Sequence, residues 1–115
     1  SSVSIAVQNF FDDLNSHGQS ENVVLFLFSE FGRRVLDNGG GTDHGAAGVC
    51  LAIGPSVKGG EYGEFPSLNK DELDQGDLVP SLDFRGVYST FLEDWLKIDP
   101  VPIVGGNFES PSFIK

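Results

Sequence analysis

One cysteine in 115 residues excludes any intrachain disulfide, so nothing covalent staples this chain. That residue, Cys50, lies inside the apolar run Ala46 to Ile53 and is expected as a small buried hydrophobe rather than a nucleophile. Basic residues are scarce as well: seven Lys and Arg stand against seventeen Asp and Glu, a formal charge of −10. Only Arg33 and Arg34 are adjacent. A chain without a basic patch repels phosphate backbones and anionic membrane surfaces, so nucleic acid is not an expected partner. No apolar stretch approaches the roughly 18 residues of a membrane span, and no signal peptide is visible. Neither a Gly-x-Gly-x-x-Gly loop nor a Walker-type Gly-Lys-Ser/Thr follows a strand, which removes the nucleotide-binding fingerprints. A Gly-x-Ser-x-Gly elbow is also missing, so Ser29, near Glu30 and His44, lacks the setting of a hydrolase nucleophile.

What is present is the composition of a folded domain, with 39% hydrophobic and 21% charged residues. The length allows a single domain, residues 1–115, with one modest core. The chain begins Ser1-Ser2 without an initiator Met, and it is expected to be the C-terminal piece of something larger. Fifteen glycines cluster as Gly39-Gly40-Gly41, Gly59-Gly60 and Gly105-Gly106, and so mark loops rather than helix interiors.

Val3, Ala6, Val7, Phe10, Phe11 and Leu14 recur at helical spacing, with Ser2 or Ser4 available as a cap and Gly18 as a stop. This predicts an amphipathic helix from Val3 to Ser16, with His17 at its C-terminal, dipole-favoured end. Phe84, Val87, Tyr88, Phe91, Leu92 and Trp95 predict a second one, with Asp83 near its start and Pro100 beyond its end. Between them, Asn22 to Ser29 and Ala46 to Ile53 are short, dense apolar runs without clean alternation. That is the pattern of strands buried on both faces of a parallel sheet. Lys58 to Pro80 is turn-rich and acidic and is expected as a long surface excursion; the tail to Phe113 is expected to be extended and weakly structured. Two strands make a thin sheet, so its neighbours should come from a partner chain or from the rest of a parent protein.

Polar chemistry collects at the strand ends, where α/β proteins place their sites. Glu30 follows the first run, and Asp43 and His44 precede the second. Carboxylate plus imidazole suits a divalent cation, zinc, manganese or calcium, if the loop lets them converge. Alternatively Asp43 orients His44 or caps a turn. Asn38-Gly39-Gly40-Gly41 offers backbone N–H groups for an anion, with Arg33 or Arg34 adding charge, or else is simply a flexible loop.

These same residues carry a resemblance. The run Val23-Val24-Leu25-Phe26-Leu27-Phe28-Ser29-Glu30-Phe31-Gly32-Arg33-Arg34, followed by Gly40-Gly41-Thr42-Asp43-His44-Gly45-Ala46-Ala47, resembles the C-terminal part of the domain-of-unknown-function 1501 family. The likeness continues through Val57-Lys58-Gly59-Gly60, Tyr62-Gly63-Glu64, Pro66-Ser67-Leu68 and Gly76-Asp77-Leu78. It ends with Asp83-Phe84-Arg85-Gly86-Val87-Tyr88 and Leu92-Glu93-Asp94-Trp95-Leu96. The resemblance implies a bacterial, sulfatase-like protein of the alkaline phosphatase superfamily. The fold it implies is a partial α/β one, mainly parallel strands flanked by two amphipathic helices.

It further implies that Glu30, Asp43 and His44 contribute to a divalent-metal site and that Arg33 binds an anion. Ser29-Glu30-Phe31-Gly32 stands at the superfamily's Asp-His-Gly type motif, with Phe31 in place of a metal-binding His. In another alignment Asp43-His44 would occupy that motif. The superfamily's nucleophile and remaining ligands lie upstream of the matched segment, so the chain alone is not expected to hydrolyse phosphate or sulfate esters. A twin-arginine export signal is typical of the family and implies a periplasmic or extracytoplasmic setting. Two readings therefore stand: part of a metal-dependent hydrolase, or a non-catalytic binding or assembly module with a decayed metal site. Its partner would be the remainder of the parent protein, another chain, or a second copy.

Overall fold

Helix α1 spans Ser2–Ser16, capped by the Ser1 hydroxyl, which accepts from the Ser4 amide at 3.3 Å. The cap falls one residue before the expected Ser2. The computed structural model describes all residues, Ser1–Lys115. A 3-10 turn, Ser20–Asn22, leads to β1 (Leu25–Leu27), then β2 (Gly32–Asp37), β3 (Thr42–Gly45) and β4 (Leu51–Ile53). After the excursion, with its own 3-10 turn Lys70–Glu72, come α2 (Phe84–Thr90), a π-helical continuation (Phe91–Trp95) and the short α3 (Val101–Val104).

The architecture is mixed helix and sheet, and the strands are antiparallel, which corrects the expected parallel arrangement. β1 pairs β4 with Leu25 opposite Ile53 and Leu27 opposite Leu51; β2 pairs β3 with Arg33 opposite His44. The reason lies in the connection. Parallel neighbours need a crossover, usually a helix, that carries the chain back to its starting end. Residues 28–50 instead hold the β2–β3 hairpin, and the chain re-enters against β1 in the opposite sense. Each sheet has only two strands, too few to stand alone in water.

The β1–β4 ribbon is supported from one side. Val87 of α2, Phe113 and Ile114 form the buried cluster, and Val24, Phe26, Ala52, Val57, Phe91 and Trp95 pack on it. The tail therefore corrects its expected looseness. Ile114 bridges Val57, and the Lys58 amide donates to the Phe113 carbonyl at 2.7 Å. Thr90, fully buried, donates its hydroxyl to the Pro111 carbonyl at 2.7 Å. Gly86 makes room for this approach, since a Cβ there would sit 1.9 Å from the Glu109 carbonyl oxygen.

The other side is open. Leu51 is 55% exposed, and Val49, just before β4, 82%. Cys50 is exposed too, correcting its expected burial, yet desolvation around the sulfur pushes its thiol pKa up, so it stays a poor nucleophile. Helix α1 buries no residue, and among helices and strands it touches only the Ser20–Asn22 turn. The accessible area is 8069 Å². A compact monomer of this mass exposes about 6,100 Å². The radius of gyration, 16.7 Å, likewise exceeds the about 13 Å of a compact domain this long.

The start of α2 shows what holds the open body locally. Asp83 caps it, accepting from the Arg85 amide at 2.9 Å, and the Arg85 guanidinium clamps both carboxylate oxygens at 2.9 and 2.7 Å. That guanidinium also lies over Phe108 of the tail, 4.0 Å from the ring centre. The Arg85 side chain, more than its amide, holds the Asp83 pKa down at about 2. Because the folded value is depressed, this clamp is complete above the ordinary Asp value of about 3.9 and is lost as pH falls through about 2. A carbon-detected NMR titration of the Asp83 carboxyl should give a midpoint near 2; an ordinary midpoint near 4 would show the clamp absent in solution.

Candidate functional site

The β2–β3 hairpin carries most of the candidate residues, and its tip explains its form. Asn38 and Gly41 close the turn, the Asn38 amide donating to the Gly41 carbonyl at 2.8 Å. The Gly39 amide donates to Asp37 Oδ1 at 2.5 Å and the Gly40 amide to Asn38 Oδ1 at 3.0 Å. Two N–H groups of the glycine triplet are thus engaged by the chain's own side chains. This corrects the alternative of an anion nest.

Successive strand residues point to opposite faces, so Asp43 and His44 diverge. Asp43 Oδ1 accepts from the Asn38 side-chain amide at 2.7 Å, which makes it a brace for the hairpin tip. His44 lies flat on Phe31, ring centres 3.5 Å apart and planes 13° from parallel. Arg33, directly opposite His44 across the ribbon, donates from Nη1 to the Thr42 carbonyl at 2.8 Å. Its guanidinium carbon is 5.6 Å from the Phe31 ring centre, within cation–π range. Arg33, Phe31 and His44 therefore share one face. Glu30 sits beside it in the β1–β2 connection, exposed, with the Ser29 hydroxyl 3.5 Å from its carboxylate.

As a metal site this set fits only in part. Carboxylate and imidazole are suitable donors, but no group of three or more His, Cys, Asp or Glu side chains is gathered to hold an ion. A cation here would need donors from outside the chain. Arg33 keeps most of its five donors free and has no carboxylate within ion-pair distance, since the pairs formed are His17–Asp13 and Arg85–Asp83.

A family model described as "Protein of unknown function (DUF1501)" matches residues 2–90. The chain belongs to that family. The DUF1501 match runs from the first residue of α1 to the last of α2 and encloses the whole hairpin face. No curated protein and no solved structure gives a match.

Two residues at this face escaped the reading of single motifs. Phe31 stood out as the residue in place of a His, but its partner was hidden until the hairpin folded it onto His44. Asp77, in the acidic excursion, reaches the end of β3 and accepts from the Ala46 amide at 2.9 Å. Its signals were Gly76 just before it, a turn residue among acids, and its place in the Gly76-Asp77-Leu78 segment of the family likeness.

Stacked aromatic pairs contribute about 0.5–1.5 kcal/mol beyond their area. Phe31→Leu should therefore lower the urea midpoint by that much stability at an unchanged denaturant slope, and an unmoved midpoint would mean the stack carries no energy.

Proposed function

We propose that this chain is a non-catalytic section of a larger, sulfatase-like body of the alkaline phosphatase superfamily, into which it docks by its open apolar side. One observation carries the reading: the chain exposes roughly 1,900 Å² more than a compact monomer of its size would. On one partner that is more than twice the about 800 Å² each side gives to a standard interface, and it falls in the range of large obligate ones. Val3, Ile5 and Phe10 of α1 contribute to it, as do Val49 and Leu51 at the open side of the ribbon. Helix α1 argues the same way, because isolated helices of about 12–15 residues are marginal in water without tertiary packing. The apolar runs of β1 and β4 also lack the alternation of a half-solvated sheet, as strands with cover on both faces do. By the family resemblance the parent would be exported, and the covering surface would be the rest of that protein. A second copy of the chain is the other candidate.

Light scattering together with amide exchange tests this. The chain alone should self-associate or leave Ser2–Ser16 unprotected, and the same helix should be protected in the full-length protein. A stable monomer with a protected α1 would overturn the docking reading.

A second reading is favoured by the Arg33–Phe31–His44 face. There His44 and Glu30, and Asp43 on release from Asn38, would lend donors to a zinc, manganese or calcium ion whose other ligands lie elsewhere in the parent. Arg33 would hold a phosphate or sulfate ester's charge. When bound, such an ion would polarise the ester and stabilise charge on its oxygens. Zinc or manganese titrated into full-length protein should show reduced stoichiometry in a His44→Ala variant; equal stoichiometry removes His44 from any metal site.

A further inference from the structure

Beyond the hairpin face itself lies a set of contacts that hold it in place. β3 ends at Gly45, and the next amide, Ala46 N–H, donates to Asp77 Oδ2 at 2.9 Å across 31 residues of sequence. The second oxygen of that carboxylate, Oδ1, accepts from the Leu78 amide at 2.8 Å. Asp77 comes this close only because residue 45 lacks a side chain: a Cβ there would lie 2.7 Å from Asp77 Oδ1 and 2.7 Å from the Arg33 carbonyl carbon.

Asp77 is in turn placed by a tight turn. Asp74 and Asp77 exchange backbone hydrogen bonds of 3.0 and 2.9 Å, and the two residues between them have φ of +50° at Gln75 and +83° at Gly76. Glycine takes such an angle freely, but glutamine does so at a cost, and strain of this kind persists where surrounding contacts over-determine it. Here the contact is visible. The Arg34 guanidinium donates to the Gln75 carbonyl, so the strained turn grips β2 through Arg34 and the residue after β3 through Asp77. A cavity of about 330 Å³, lined by Arg34, Ala46, Asp77, Val79 and Pro80 among others, lies within this bracket. Arg33 and His44, the next residues along the two strands, are the cross-strand pair that faces Phe31.

We propose that Asp77 is a positioning residue, one carboxylate oxygen holding the Ala46 amide at the end of β3 and the other braced by the Leu78 amide, so that His44 stays flat against Phe31. The inference deepens the reading in which the His44 face is shared with the rest of the protein, and it adds the excursion as the element that presets that face. A carboxylate is needed because both oxygens accept from an N–H; an asparagine in its place would turn an NH₂ donor towards one of those donors.

The test is made on the full chain by following the carbon-bound imidazole protons of His44. Stacking on Phe31 should displace them upfield, and Phe31→Leu supplies the unstacked reference. Asp77→Asn is expected to move them most of the way to that reference while far-UV circular dichroism stays as in the wild type. Arg34→Lys, which removes the planar grip on Gln75 without touching a carboxylate, is expected to move them part of the way. It gives the same readout should Asp77→Asn not fold. Wild-type His44 shifts in either folded variant would overturn the inference. A compact monomer or an unchanged metal stoichiometry would end the readings of the previous subsection without altering this result, so the two failures are told apart.

Discussion

Val87, Phe113 and Ile114 meet at the point where α2, the C-terminal tail and the β1–β4 ribbon are tied together. Val87 brings α2, Phe113 and Ile114 bring the C-terminal tail, and Phe26 and Ala52 bring the β1–β4 ribbon onto the same contact. Around it, polar bonds join segments far apart in sequence, among them the Thr90 hydroxyl on Pro111, the Lys58 amide on Phe113 and the Lys115 amide on Ser56. With no disulfide and only four buried hydrophobic residues, this junction is the main source of cohesion. Thr90 matters there beyond its size, because its hydroxyl shares the Pro111 carbonyl with the Phe113 amide and lies 2.6 Å from the Ser110 hydroxyl, tying α2 to the tail.

A core that small covers one side of a two-stranded ribbon and no more. The consequence is a body with two unlike surfaces. On the packed side, α2 and the tail interlock closely enough to require glycine at position 86. The opposite side leaves Val49 and Leu51 in water, and α1 stands apart with Val3, Ile5 and Phe10 exposed. Apolar area left in solvent is unfavourable by about 25 cal/mol per Å². The physical pressure is therefore towards cover, which is why docking is the better-supported reading and catalysis by the chain alone is not.

The hairpin adds a different constraint. Its tip is closed by Asp37, Asn38 and Asp43 acting on one another and on the backbone, and its base is bracketed by Arg34 and Asp77. Residues that look like ligands when read in line are divided by this arrangement between holding the hairpin and facing outward. Asp43 belongs to the first group and His44 to the second. The DUF1501 match over residues 2–90 takes in the holding residues Asp37, Asn38, Asp43 and Asp77 as well as the outward-facing Arg33 and His44.

Both amphipathic helices were legible because their apolar residues repeat every three to four positions, although the second is α-helical only over Phe84–Thr90 and continues π-helical over Phe91–Trp95. The location of the apolar runs was legible for the same local reason, as were the scarcity of basic charge and the family itself, but the stretch between the runs, read as a loop, folds into β2 and β3. Strand direction was not. A run such as Val23 to Phe28 reads alike in a parallel and an antiparallel pair, and the choice was made by a hairpin whose turn depends on Asn38 and Gly41 meeting in space. Nor was the weight carried by the tail, since Phe113 and Ile114 are an isolated apolar pair until Val57 and Val87 close on them. Residue type and spacing thus determined which segments would be helix, which would be apolar strand and where polar chemistry would collect. Tertiary contacts between residues as far apart as Ala46 and Asp77, or Val57 and Ile114, decided strand sense and which polar side chains brace the backbone. Local periodicity records no information about such distant pairs.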